Sequence, residues 1–157
     1  MKENQPRRNS AKVLPLAVFF TFVFAIALTT RAAPAQSADI VVYKSPTCDC
    51  CKNWVAHMQR NGHSVKTQNL DDLDMIKKMA GVPEPLQSCH TAMVDGYVVE
   101  GHVPAKDVER LLTERPKARG IAVPGMPAGS PGMGGQAEPY NVMLFQPDGS
   151  SSVYARY

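Results

Sequence analysis

The sequence predicts an α/β fold, a mixed central sheet carrying a C-terminal β-hairpin. Two observations predict it. Short strand-like runs alternate with amphipathic helical stretches, an order that builds parallel pairing. Two Asp-Gly turns, Asp95-Gly96 and Asp148-Gly149, also lie between strand-like runs, and Asp-Gly in that setting is a hairpin signal.

The elements follow in order. Ile40-Val41-Val42-Tyr43 reads as a buried first strand, and Lys44-Ser45-Pro46-Thr47 as the turn after it. A helix over 50–61 places Cys51, Trp54, Val55 and Met58 on one face. Gly62 then supplies a left-handed stop. Residues 63–70 read as a second strand. Asp71-Asp72 opens a second helix through Met79, which the Gly81-Val82-Pro83 exit terminates. Residues 91–94 and 97–100 form a hairpin, and 105–113 a third helix. Residues 121–139, rich in Gly and Pro, read as an irregular loop. Residues 141–145 and 152–157 complete the last hairpin.

The N-terminus sets the compartment. Lys2, Arg7, Arg8 and Lys12 precede an apolar run over 13–28, and Ala33-Pro34-Ala35 offers a cleavage site. This is the pattern of a secretory signal peptide over 1–35. The apolar run is short for a membrane span and contains Pro15, so no stable anchor is expected after cleavage. The leader holds five of the 17 Lys and Arg and one of the 14 Asp and Glu, which leaves residues 36–157 near −1. Nothing in that balance argues for nucleic acid, whose binders show a basic patch or stripe. About 120 residues suffice for one domain. A bacterial-looking leader and an exported thiol cluster point to the periplasm, where thiols oxidise unless a metal or a reductant protects them.

The cysteines carry the chemistry. Three sit in four residues, Cys48-Asp49-Cys50-Cys51, and the fourth heads Cys89-His90. Thiolates bind soft metals, exchange disulfides and act as nucleophiles. The order β-α-β-α-β-β-α, with Cys48 and Cys51 spaced C-x-x-C after the first strand, is the thioredoxin/glutaredoxin arrangement. A helix N-terminus there stabilises a thiolate. Two features depart from an oxidoreductase of that fold. Its cis-proline position reads Ser88-Cys89-His90-Thr91 here, which would bring Cys89 within reach of Cys48 and Cys51. Cys50 is a third thiol that a dithiol mechanism does not need, whereas a metal cluster can use it, since sulfurs can each bridge two soft ions. Two structural disulfides fit poorly, because a C-x-C-C run can hardly form two unstrained bridges. One structural zinc would match four cysteines, but adjacent Cys50 and Cys51 are expected to point apart.

The segments YKSPTCDCCKNWVAHM, SCHTAMVDGYVVEGHVP and AVPGMPAGSPGM resemble the periplasmic copper-resistance CopG family, long filed as a domain of unknown function. The resemblance spans residues 40–157. It implies a thioredoxin-like fold, several copper ions bound by the cysteines, and copper redox handling. The family often has Gly where this chain has Asp49, which leaves the ligands intact and adds a carboxylate beside them.

The remaining candidates divide. His90 can join the cluster only if its segment is irregular, because strand neighbours face opposite sides. His102 fits a surface or capping role as well as a site role. His57, about 10 Å up the helix from Cys50, reads as a partly exposed histidine, and His63 as solvent-facing. Met126 and Met133, in Pro-Gly-Met repeats, suit Cu(I) as thioether ligands or fold down as apolar pegs. Met58, Met75, Met79, Met93 and Trp54 read as core.

The resulting expectation is a periplasmic, thioredoxin-like domain over 36–157. It would hold Cu(I) through Cys48, Cys50, Cys51, Cys89 and His90, with His102, Met126 and Met133 as further candidates, and Cu(I)/Cu(II) interconversion as a family-level expectation. Its partners would be copper ions and periplasmic copper carriers or efflux components. The alternatives are a thiol–disulfide oxidoreductase using Cys48 and Cys51, and a structural zinc protein. The mature chain should begin near Gln36. Intact-mass measurement of the exported protein checks this, and retention of residues 1–35 would refute it.

Overall fold

A computed structural model describes Met1 and residues 37–157; the leader and its cleavage site lie outside the described residues. The elements are β1 (Asp39–Lys44), α1 (Asp49–Arg60), β2 (Ser64–Asn69), α2 (Asp74–Ala80), a 3-10 turn (Glu84–Leu86), β3 (His90–Val94), β4 (Tyr97–Glu100), α3 (Ala105–Glu114), β5 (Gly120–Ala122), β6 (Asn141–Phe145) and β7 (Ser151–Arg156). They form the expected α/β fold around one seven-stranded mixed sheet, ordered β2-β1-β3-β4-β5-β6-β7. β1 runs parallel to β2 and β4 parallel to β5, and the other neighbours are antiparallel. Among the described residues no helix is long and apolar enough to cross a membrane.

Burial follows side-chain period. Ile40 and Val42 face inward from β1 and meet the α1 face of Trp54, Val55 and Met58 and the α3 face of Val108 and Leu111. Trp54 Nε1 donates to the Val103 carbonyl at 2.8 Å, which satisfies the indole in a dry core. A second cluster, Ala80, Val82, Leu86, Val98, Ala122 and Phe145, involves α2.

Three expectations need correction. The second helix begins at Asp74, not Asp71, because the Asp72 carboxylate accepts the Asp74 N–H at 2.8 Å and holds the preceding residues in a turn. Met75 and Met79 are 70% and 74% exposed rather than core; Lys77 and Ala80 are the buried residues of α2. The Gly/Pro-rich segment opens with a strand, since Ile121 and Ala122 belong to β5. That strand is three residues long, too short for any period to reveal, and it joins the C-terminal hairpin to the main sheet.

Lys77 is buried because it answers a buried acid. Glu100 is fully buried. Its carboxylate accepts from Lys77 Nζ at 2.6 Å, Ser88 N at 2.7 Å and Thr91 Oγ1 at 2.7 Å. Burial raises the carboxyl above its ordinary value, while the ammonium and the three donors oppose that rise. One carboxylate thus ties α2 to the residues on both sides of Cys89-His90. Lys77→Met should destabilise the domain by about 3–5 kcal/mol, because it strands a buried charge. Lys77→Met/Glu100→Gln should recover most of that loss. Urea unfolding of the three proteins checks this, and a single-variant cost below about 1 kcal/mol would refute it.

Candidate metal centre

The cysteine turn is built by the end of β1. Ser45 O accepts the Cys48 N–H at 3.2 Å, so the chain reverses directly into α1. Cys48 is the N-cap of that helix, and its sulfur accepts the Cys51 N–H at 3.3 Å. The i, i+3 geometry brings Cys48 and Cys51 together, and they are joined as a disulfide. Cys50 and Cys89 are free thiols. Cys50 Sγ lies 3.4 Å from Cys48 Sγ. Cys51 Sγ lies 3.8 Å from the Cys89 carbonyl, so the β3 approach segment does sit across from the helix N-terminus. The sulfurs of Cys48, Cys50, Cys51 and Cys89 all lie within 4.8 Å of one another. The adjacent pair Cys50-Cys51 therefore converges, contrary to the expectation that it would point apart. By spacing alone, this set could serve one tetrahedral ion or several bridged ones.

Cys89 belongs to a second group as well. It occupies a bend just before β3, so it and His90 are not constrained to opposite faces. One ligand atom each from Cys89, His90 and His102 lies within 4.8 Å of the others. His102 is fully buried, not surface. Its Nδ1 lies 2.7 Å from the Pro131 carbonyl and its Nε2 2.9 Å from Cys89 Sγ. A carbonyl can only accept, so Nδ1 carries the proton and Nε2 presents its lone pair to the sulfur. His90, also fully buried, places Nδ1 3.3 Å from Cys89 Sγ and packs its ring on Trp54 at 4.5 Å between centroids. Its Nε2 has no hydrogen-bond partner among the described residues, which is rare for a buried polar atom; the nitrogen that faces the Cys89 sulfur is Nδ1.

The Gly/Pro segment closes over this site. Pro131 orients His102, and the Gly132 carbonyl accepts from Asn53 Nδ2 at 3.3 Å. Gly132 has φ +94°, and a Cβ there would lie 2.7 Å from the Cys50 carbonyl, so only glycine permits this approach. Gly101 does the same on the far side, at φ +70°, with a Cβ position 2.5 Å from Ser88 Oγ. Met133 is half-buried in the turn that follows Gly132, whereas Met126 is 54% exposed. His57 is half-buried and accepts the Ala105 N–H at the start of α3. His63 is buried, which corrects the solvent-facing expectation; it accepts the Ala38 N–H and lies 3.7 Å from Glu109. Asp49 is an exposed partner of Lys52 at 2.8 Å.

The electrostatics favour the neutral forms of Cys89, His90 and His102. Burial, and then the neighbouring Cys50, push the Cys89 thiol up to about 12. Burial holds His90 well below the ordinary imidazole value, reinforced by His102, Lys77 and Lys44, and burial also lowers His102.

The family described as "Protein of unknown function, DUF411" matches residues 86–133, which include Cys89, His90, His102 and the Pro-Gly-Met loop. No curated protein matches the chain. Two solved structures are similar to it, forms 2 and 1 of a protein named copper resistance protein CopG. Each is 43% identical, with a TM-score of 0.73 over 78% of this chain, and the match covers 99% and 98% of the respective solved chain.

The buried histidines set a pH dependence. Their folded values lie below the unfolded one, so between the two the unfolded chain binds more protons and stability falls as pH falls. The metal-free domain should lose stability on going from pH 7 to pH 5, with His90 contributing up to about 1.4 kcal/mol per pH unit. Urea unfolding across this range checks it, and His90→Phe should flatten the slope. Greater stability at the acid end would refute it.

Proposed function

The chain belongs to the copper resistance protein CopG family, and from that premise we propose that it is a periplasmic copper-binding protein. In this reading the mature domain, residues 36–157, is thioredoxin-like and holds more than one Cu(I) through Cys48, Cys50, Cys51 and Cys89. His102 and His90 complete the coordination, and the site interconverts Cu(I) and Cu(II). The carrying observation is the convergence of four sulfurs within 4.8 Å, with Cys89 shared by two imidazoles. Thiolates favour Cu(I), and imidazole also tolerates Cu(II). Met133, beside Gly132 over Cys50, is the better placed of the two loop thioethers; Met126 would have to turn inward to contribute. Copper carriers or efflux components would be the delivery partners.

The residues divide the work. Cys50 and Cys89 are free thiols and need no reduction. Cys48 and Cys51 become ligands only after their disulfide takes up two electrons and two protons. Cys89 must release its proton to bind, so affinity should rise with pH. The Cys48–Cys51 disulfide itself favours a second reading, a thiol–disulfide oxidoreductase with one sulfur open to attack and one to resolve.

Copper stoichiometry of the reduced protein separates the two. In anaerobic competition against a Cu(I) chelator, wild type should bind more than one ion per chain, and Cys50→Ser and Cys89→Ser should each bind fewer. Unchanged stoichiometry in either variant would reject the cluster. Robust disulfide-reductase turnover by metal-free wild type, unaltered in Cys89→Ser, would favour the second reading.

A further inference from the structure

A pocket beside the cysteine turn holds a cation without an anion. It has a volume of about 280 Å³ and is lined by Lys44, Pro46, Lys52, Val55, Thr67 and Asn69. Lys44 stands opposite Asn69 across the β1–β2 pair, and Val42 stands opposite Thr67. Lys44 continues the inward row of Ile40 and Val42. A lysine there buries its stem in the core and carries its ammonium to the strand end, at the pocket. The residue is 4% exposed, yet among the described residues its only hydrogen-bond acceptor is the Ser45 carbonyl at 3.0 Å. No carboxylate among the described residues pairs with it. An ammonium has three donors, and a buried cation is ordinarily paired. Lys52, on the opposite side, is neutralised by Asp49, which leaves Lys44 as the uncommitted charge. Thr67 and Asn69 add a hydroxyl and an amide able to donate.

The pocket adjoins the disulfide. The same Ser45 carbonyl accepts from Lys44 Nζ and from the Cys48 N–H. Pro46 precedes Cys48 by two residues, and Lys52 follows Cys51. Cys48 is the partly exposed residue of the pair, and Cys51 is fully buried. Lys44 Nζ and the Cys48 N–H thus meet at one carbonyl, 3.0 and 3.2 Å from it, so an acid group held at Lys44 lies one short molecule's length from Cys48.

We propose that this pocket binds the carboxylate of a small anionic thiol, the reductant that opens the Cys48–Cys51 disulfide. The inference rests on the copper-binding reading, in which those two sulfurs must be reduced before they serve. The bound thiolate attacks Cys48 Sγ, the Cys48–Cys51 bond breaks, and Cys51 leaves as a thiolate. A second thiol attacks the mixed disulfide and releases Cys48. Two thiols become one disulfide, and their two electrons and two protons pass to Cys48 and Cys51.

The test compares two thiols on the oxidised mature protein, 3-mercaptopropionate and uncharged 2-mercaptoethanol, with reduction rates expressed per thiolate. Wild type should favour the acid by roughly tenfold, about what one charge-assisted hydrogen bond supplies. Lys44→Met should abolish that preference, slowing the acid thiol more than 2-mercaptoethanol, and Lys44→Arg should retain it. Equal rates for the two thiols in wild type, or a preference undiminished in Lys44→Met, would overturn the proposal. Copper stoichiometry after phosphine reduction is read on the same proteins. If wild type then binds no Cu(I), the copper reading fails while the thiol preference still stands or falls by itself.

Discussion

The Glu100 carboxylate is the contact on which the site depends. It takes the Ser88 N–H on one side of Cys89-His90 and the Thr91 hydroxyl on the other, and Lys77 of α2 supplies its counter-charge. A bend before a strand would otherwise be free to move, since it lacks ladder hydrogen bonds of its own. Here the Cys89 sulfur inherits its position from a fully desolvated ion pair. Such a pair is no bargain for stability compared with apolar packing. Its value lies in fixing the place where the thiol stands. Gly101 next to it in sequence and Gly132 above the helix then let the backbone close in from two further directions.

How much of this was legible in the sequence follows from how local each feature is. The cysteine turn and the α1 face of Cys51, Trp54, Val55 and Met58 are short-range patterns, and they formed as read. The position of Cys89 was legible through the element order, which set Ser88-Cys89-His90-Thr91 at the cis-proline position of a thioredoxin-like arrangement, across from the cysteine turn. The burial of His102 was not, since it depends on Pro131 folding back from 29 residues away. Met75 and Met79 were misread for a related reason. Hydropathy assigns methionines inward and lysines outward, and it cannot see that Glu100 requires an ammonium from α2. β5 was hidden by length and composition, being three residues among glycines and prolines.

The two thiol groups meet at one atom. Cys89 faces the sulfurs at the α1 N-terminus and the imidazoles of the β3 and β4 ends at once. The disulfide removes two sulfurs from the first group and touches nothing in the second. The oxidation state of Cys48 and Cys51 thus decides whether the site offers mainly sulfur or a mixed nitrogen and sulfur set. Softer ligands favour Cu(I) and imidazole accommodates Cu(II), so the local redox chemistry of the protein and that of its proposed cargo are linked through shared atoms.

Charge balance points the same way. Without metal, the thiol of Cys89 is held protonated and both imidazoles are held neutral. Lys77 is matched by Glu100. A monovalent ion that displaces one thiol proton leaves the buried charge unchanged. A divalent ion displacing one proton adds a unit of positive charge beside Lys77 and Lys44, in surroundings where uncompensated charge is costly. It would need a second thiolate for each ion. With four sulfurs present, thiolate supply limits divalent ions sooner than monovalent ones, so proton exchange as well as softness supports the reading of several Cu(I) ions in this site.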